Sequence, residues 1–137
     1  MNRVEARHSK KRILAVDDTA MVLTRISDIL SNDYEVITAN SGARALKYLN
    51  QEKPDLILLD IQMPKINGIE TLQVIRAMED TADIPVIMLT GVEDKNVVME
   101  SAKLGICDYI LKPFNTGALL QRINRAFEQK EQNRTKF

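Results

Sequence analysis

Asp17 and Asp18 stand directly behind the apolar run Ile13–Val16, Asp60 behind Leu56–Leu59, Thr90 behind Val86–Leu89 and Lys112 behind Tyr109–Leu111. Scattered, these would be ordinary polar residues at the ends of oily segments. Brought together, they are a set of tools. Carboxylates with no histidine or thiolate beside them favour a hard divalent cation. A site that offers a few acids and keeps room for waters and a phosphate suits Mg²⁺ better than Ca²⁺. Lys112 adds a fixed positive charge, Thr90 a hydroxyl donor, and a carboxylate can attack phosphorus. The chemistry these parts serve is the handling of a phosphoryl group.

For that to happen the four segment ends must meet. Short apolar runs (Ile13–Val16, Val36–Ala39, Leu56–Leu59, Val86–Leu89 and Tyr109–Leu111) alternate with stretches of helical spacing, such as Val22, Ile26, Ile29, Leu30 and later Ile69, Leu72, Ile75. Runs apolar on both faces belong to a parallel sheet covered by helices on each side. The pattern predicts a doubly wound α/β domain with a five-stranded parallel sheet. Ligands of such sheets bind outside the carboxyl ends of the strands, where the strand order reverses. The order 2-1-3-4-5 gathers the four functional ends and leaves the second strand, which runs into Ala39 and Asn40, at an edge beyond the site. Asn67 with Glu70 reads as a capping box, Asp94 and Asn115 as helix N-caps, and Gly105 as the end of the fourth helix.

The 137 residues make one domain, and 19 Lys+Arg against 19 Asp+Glu leave no net charge for bulk attraction to nucleic acid or an anionic membrane. The single cysteine, Cys107, excludes an internal disulfide, fits a reducing compartment and reads as core. Nothing resembles a signal or a membrane span, which points to a cytoplasmic protein. The methionines read as core fillers. The basic stretch 1–10 and the polar stretch 130–137 read as a tail and as a tail or linker around a domain at 11–129. The only histidine, His8, falls in the first of them, as a solvated residue.

Asp17-Asp18, the segment DIQMPKINGIE beginning at Asp60, Thr90-Gly91 and Lys112-Pro113 together resemble the receiver domain of bacterial two-component response regulators, from about Lys11 to Gln129. The resemblance implies the receiver, flavodoxin-like fold, with Asp60 as phosphoacceptor for a sensor histidine kinase or phosphotransfer protein. It implies Mg²⁺ held by Asp18, Asp60 and the backbone carbonyl of Gln62, with Asp17 acting through water. Lys112 would pair with the acceptor and then its phosphate, and Thr90 would swing toward the phosphate with Tyr109 turning inward behind it. The surface of helix four, strand five and helix five would change its preference for a downstream protein, a phosphorylation-dependent dimer being among the forms allowed. Lys112-Pro113 corresponds to a bond usually cis in the family. Gln62 and Val92 flank the path of attacking water, and an apolar Val92 cannot orient it, so a phosphorylated form that is not among the shortest-lived is expected.

Rival readings fare less well. A flavin or nucleotide binder of the same architecture wants a first loop rich in Gly, Ser and Thr, whereas Asp17-Asp18 repels a bare phosphate. A phosphatase with an aspartyl nucleophile places a second acid two residues on, where this chain has Gln62. The expectation is therefore a switch that catalyses only its own phosphorylation and dephosphorylation. A phosphorylation-independent binding module and the front piece of a longer regulator stay open as alternatives.

Overall fold

The structure is a computed structural model that describes residues 10–91 and 95–135. In chain order the elements are β1 (Arg12–Val16), α1 (Ala20–Leu30), β2 (Glu35–Ala39), α2 (Gly42–Gln51), β3 (Leu56–Asp60), α3 (Gly68–Ala77), β4 (Val86–Thr90), α4 (Lys95–Lys103), β5 (Asp108–Leu111) and α5 (Thr116–Thr135). The strands form one parallel sheet in the order β2-β1-β3-β4-β5. This is the predicted doubly wound, receiver-type architecture.

Alternation along the strands builds two cores. Leu14, Val16, Ile57, Leu59 and Met88 face Leu49 of α2 and Leu72 and Ile75 of α3. Ile13, Ala15, Leu58, Ile87 and Leu89 face the other way, onto Ile26 and Leu30 of α1 and Leu119 and Ile123 of α5. Every residue of β3 and β4 is buried, because both faces and both edges of these strands are covered. Each fully buried Leu or Ile contributes about 1.5–3 kcal/mol through removal of apolar surface from water.

Helix punctuation follows the residues. Asn67 and Glu70 exchange reciprocal hydrogen bonds across the first turn of α3, and the Asn115 side chain accepts from Ala118 N at 2.7 Å. Gly105, in the left-handed region at φ +86°, turns the chain after α4. Asp94, Val92 and His8 lie outside the described residues. Among the described residues no helix is long and apolar enough to cross a membrane.

Three expectations are corrected. The polar stretch after Gln129 continues α5 as far as Thr135, because Gln, Lys, Glu and Arg are good helix formers and no Gly or Pro interrupts them. Cys107 is exposed rather than core, since it precedes a four-residue edge strand in which Ile110 is the buried residue. Met63 and Met88 fill core, but Met21 and Met99 are 80% and 60% exposed.

A fastener that no motif announced is Arg76, near the end of α3. Its guanidinium donates to the carbonyls of Gly105 at 2.7 Å, Ala82 at 3.0 Å and Leu104 at 3.2 Å, joining α3 to the turns that precede β4 and β5. A planar group with five N–H donors can meet carbonyls from two loops at once, and an ammonium cannot. Arg76→Met is expected to lower the unfolding free energy by about 2 kcal/mol or more, with little recovered by Arg76→Lys, as read from urea denaturation midpoints at unchanged slope.

Candidate functional site

The strand order reverses between β1 and β3, since the chain leaves β1 for β2 on one side and then crosses to β3 on the other. A crevice opens at the carboxyl ends of these two strands. Asp17, the first residue past β1, is fully buried, and Asp60, the last of β3, is 2% exposed. Asp18 is exposed at the mouth. One oxygen from each of the three lies within 4.8 Å of the others.

Burial of two of these acids is sustained by specific partners. Asp17 Oδ1 accepts from the backbone N–H of Thr19 at 2.9 Å. Asp60 Oδ1 accepts from Gln62 N at 3.3 Å. Lys112 reaches in from the end of β5 and places its ammonium 2.6 Å from Asp17 Oδ2 and 3.1 Å from Asp60 Oδ1. Asp17 Oδ2 is buried, and among the described residues the Lys112 ammonium is the group that meets it. Lys112 is itself seated by its backbone N–H, which donates to Thr90 O at 2.7 Å, and the Lys112-Pro113 bond that follows is cis, as the resemblance implied.

Electrostatics match this geometry. Burial, and then the charge of Asp17, raise the Asp60 carboxyl from the usual 3.8 to about 6, against the opposing pull of Lys112 and the Gln62 N–H. The two carboxylates raise the Lys112 ammonium above its ordinary value despite burial. Three acids served by one ammonium leave an excess of negative charge in a partly buried crevice. That excess and an all-oxygen donor set fit a hard cation, so the cluster can bind a metal.

The remaining expected residues fall around this centre. Thr90 ends β4 beside Asp60 and is buried. The Gln62 side chain is exposed just past β3. Tyr109 lies on β5 opposite Met88 and is 41% exposed. One contributor was not foreseen: Gly68, whose N–H donates to Ile61 O at 2.8 Å. A Cβ there would stand 2.2 Å from the backbone carbonyl oxygen of Asp60. Only glycine lets α3 begin directly against the acidic residue. The intervening loop carries Lys65 at φ +66°, a left-handed conformation that costs a residue with a Cβ about 1 kcal/mol.

The raised Asp60 value has a consequence for stability. The folded chain holds a proton on Asp60 more tightly than the unfolded chain, so stability contributed by the neutral form is full below pH 4 and is lost as pH rises to about 6. The loss corresponds to about 3 kcal/mol. In the absence of divalent metal, Asp60→Asn is therefore expected to be more stable than the parent at pH 7 by up to about that amount, and equal to it below pH 4, in denaturation followed by circular dichroism.

Comparison with known proteins gives the same picture. Residues 13–124 match the family described as response regulator receiver domain. The chain is 40% identical over 119 residues to a probable transcriptional regulator ycf27 of Guillardia theta, with 84% of this chain and 44% of that protein covered. It is 37% identical to the chemotaxis protein CheY of Bacillus subtilis, covering 83% of this chain and 95% of CheY. Among solved structures, a CheY-like receiver domain from Methanospirillum hungatei JF-1 superposes with a TM-score of 0.85 at 31% identity, covering 90% of this chain and 98% of that one. The chain thus spans about half the length of several regulators that it matches and nearly the whole of the single-domain ones. With motifs, sheet order and crevice in agreement, the chain belongs to the response regulator receiver domain family.

Proposed function

We propose that the chain is a phosphorylation-activated signalling switch of a two-component relay in the cytoplasm, with Asp60 as phosphoacceptor and a sensor histidine kinase or phosphotransfer protein as donor. The observation that carries this reading is the Lys112 ammonium shared between Asp17 and Asp60, with Asp18 beside them at the strand-reversal point. In the transfer, a carboxylate oxygen of Asp60 attacks phosphorus, the P–N bond of the donor phosphohistidine breaks, and the imidazole leaves with the electron pair.

Asp18, Asp60 and the Gln62 backbone carbonyl would hold Mg²⁺, with Asp17 supporting through water. The ion, when bound, offsets negative charge on the phosphoryl oxygens. Lys112 does the same from the other side, and Asp17 keeps its ammonium in place as Asp60 changes from a carboxylate into an acyl phosphate. The Thr90 hydroxyl, at the end of the neighbouring strand, supplies a donor to a phosphate oxygen. The only turnover proposed is the chain's own phosphorylation and the later attack of water on its phosphate.

Tyr109, Leu111 and Met99 leave apolar surface exposed on β5 and α4, and this supports α4, β5 and α5 as the surface whose partner changes. Movement of Thr90 toward the phosphate and of Tyr109 inward behind it would bias that surface by population shift. The output is a protein contact, to a downstream partner or to a second copy, and does not involve nucleic acid directly. The longer relatives named as transcriptional regulators support an input role within a larger protein.

Intact mass after incubation with acetyl phosphate provides the test. Addition of one phosphoryl group is expected in the presence of Mg²⁺, little without it, and none in Asp60→Asn. Lys112→Ala is expected to bind beryllofluoride weakly and to lose the phosphorylation-dependent shifts of Thr90 and Tyr109 amides. An adduct that persists in Asp60→Asn would place the acceptor elsewhere. Failure of both phosphorylation and beryllofluoride binding in the parent would favour a phosphorylation-independent binding module.

A further inference from the structure

β2 is an outer strand of the sheet, and beside it a cleft of about 810 Å³ opens between α1 and α2. Along a parallel strand, backbone groups point alternately to one neighbour and the other. Glu35 N donates to Lys11 O, and Ala39 O accepts from Asp17 N, so residues 35, 37 and 39 face β1. Val36 and Thr38 therefore turn their N–H and C=O groups to the outer side, where no strand pairs with them among the described residues. That edge is regular, with an unbroken register to β1 and no bulge. It also lacks the lysines and prolines with which exposed edges are commonly blunted. Its one charged residue, Glu35, is bound to Arg12 at 3.0 Å.

The walls of the cleft are chemically one-sided. Leu23, Ile37 and Tyr48 line it with apolar surface, while Arg44 and Lys47 project from α2. Both are exposed, and neither is in an ion pair among the described residues. Among the described residues Asp18 is the only acid lining the cleft, and it belongs to the acidic crevice at one end. A free row of peptide groups, an apolar lining for alternate side chains and two unneutralised cations above it are the elements of strand addition with a charge preference. A second copy of this chain is a poor occupant, because pairing β2 with β2 would set Arg44 and Lys47 of each copy against the same cations.

We propose that β2 accepts an additional strand from an extended acidic segment of a partner protein, its backbone pairing with Val36 and Thr38 and its acids with Arg44 and Lys47. The site is separate from the α4, β5 and α5 surface and does not depend on phosphorylation of Asp60.

The probe is a capped peptide of about six residues alternating glutamate and valine, long enough to span β2. It is titrated into the full-length, unphosphorylated chain and followed by backbone amide shifts. Saturable shifts centred on Val36 and Thr38 are expected. Reversal of charge in Arg44→Glu/Lys47→Glu should weaken binding roughly tenfold or more, as should exchange of the peptide glutamates for lysine. Thr38→Pro removes the outward N–H without touching the ladder to β1 and should weaken binding comparably, with retained amide dispersion showing that the fold is intact. Equal binding of the lysine peptide, shifts centred on another face, or no saturation at millimolar peptide would overturn the proposal. So would sedimentation showing that β2 is occupied by a second copy.

Discussion

One ammonium holds two buried carboxylates together. Asp17 ends the path out of β1 and Asp60 ends β3, and the pair would repel strongly enough to distort the crevice if Lys112 did not lie 2.6 Å from one and 3.1 Å from the other. Much of the surrounding structure can be understood as what brings that ammonium there. The Lys112 backbone is fixed to Thr90, the loop after β5 bends back over the sheet through Pro113, and Phe114 is buried among the α1 and α5 side chains. The same bridge leaves negative charge over, and that surplus makes the place receptive to a cation.

The fold supports this by separating rigidity from reactivity. β1, β3 and β4 are buried on both faces, so the carboxyl ends of these strands are held by two full layers of aliphatic packing. The loops at those ends carry the charged groups, while the Arg76 guanidinium fastens the loops at the opposite ends of β4 and β5. Structural and chemical demands are thus met at opposite poles of the same strands, and the residues serving one need not be compromised for the other.

Much of the site could be read from the sequence because a charge that ends an apolar run is conspicuous: Asp17, Asp18, Asp60 and Lys112 all announce themselves in this way. The strand order then followed from which runs ended in chemistry and which, at Ala39, did not. What escaped was contact across the fold. That Lys112 lies nearer Asp17 than Asp60 depends on how a loop curves over two strands, and Arg76 is one of 19 basic residues until the carbonyls of 82, 104 and 105 converge on it. Cys107 and Met21 escaped for a related reason, since hydrophobicity favours burial but does not say which strand or helix face will lie at an edge. The helical end of α5 escaped because polar helix formers without an apolar stripe are indistinguishable, by periodicity, from a linker.

The start of α3 shows how unevenly such a chain tolerates change. Two glycines flank the crevice, and among the described residues nothing lies within 4 Å of where a Cβ at Gly91 would be, whereas one at Gly68 would overlap the main chain of Asp60 and Ile61. The first position has room for a Cβ and the second has none. Among descendants of this sequence, position 68 stays monomorphic for as long as the acidic residue behind it is used. Invariance there would record the shape of the Asp60 backbone, although glycine itself has no side chain with which to take part in any chemistry.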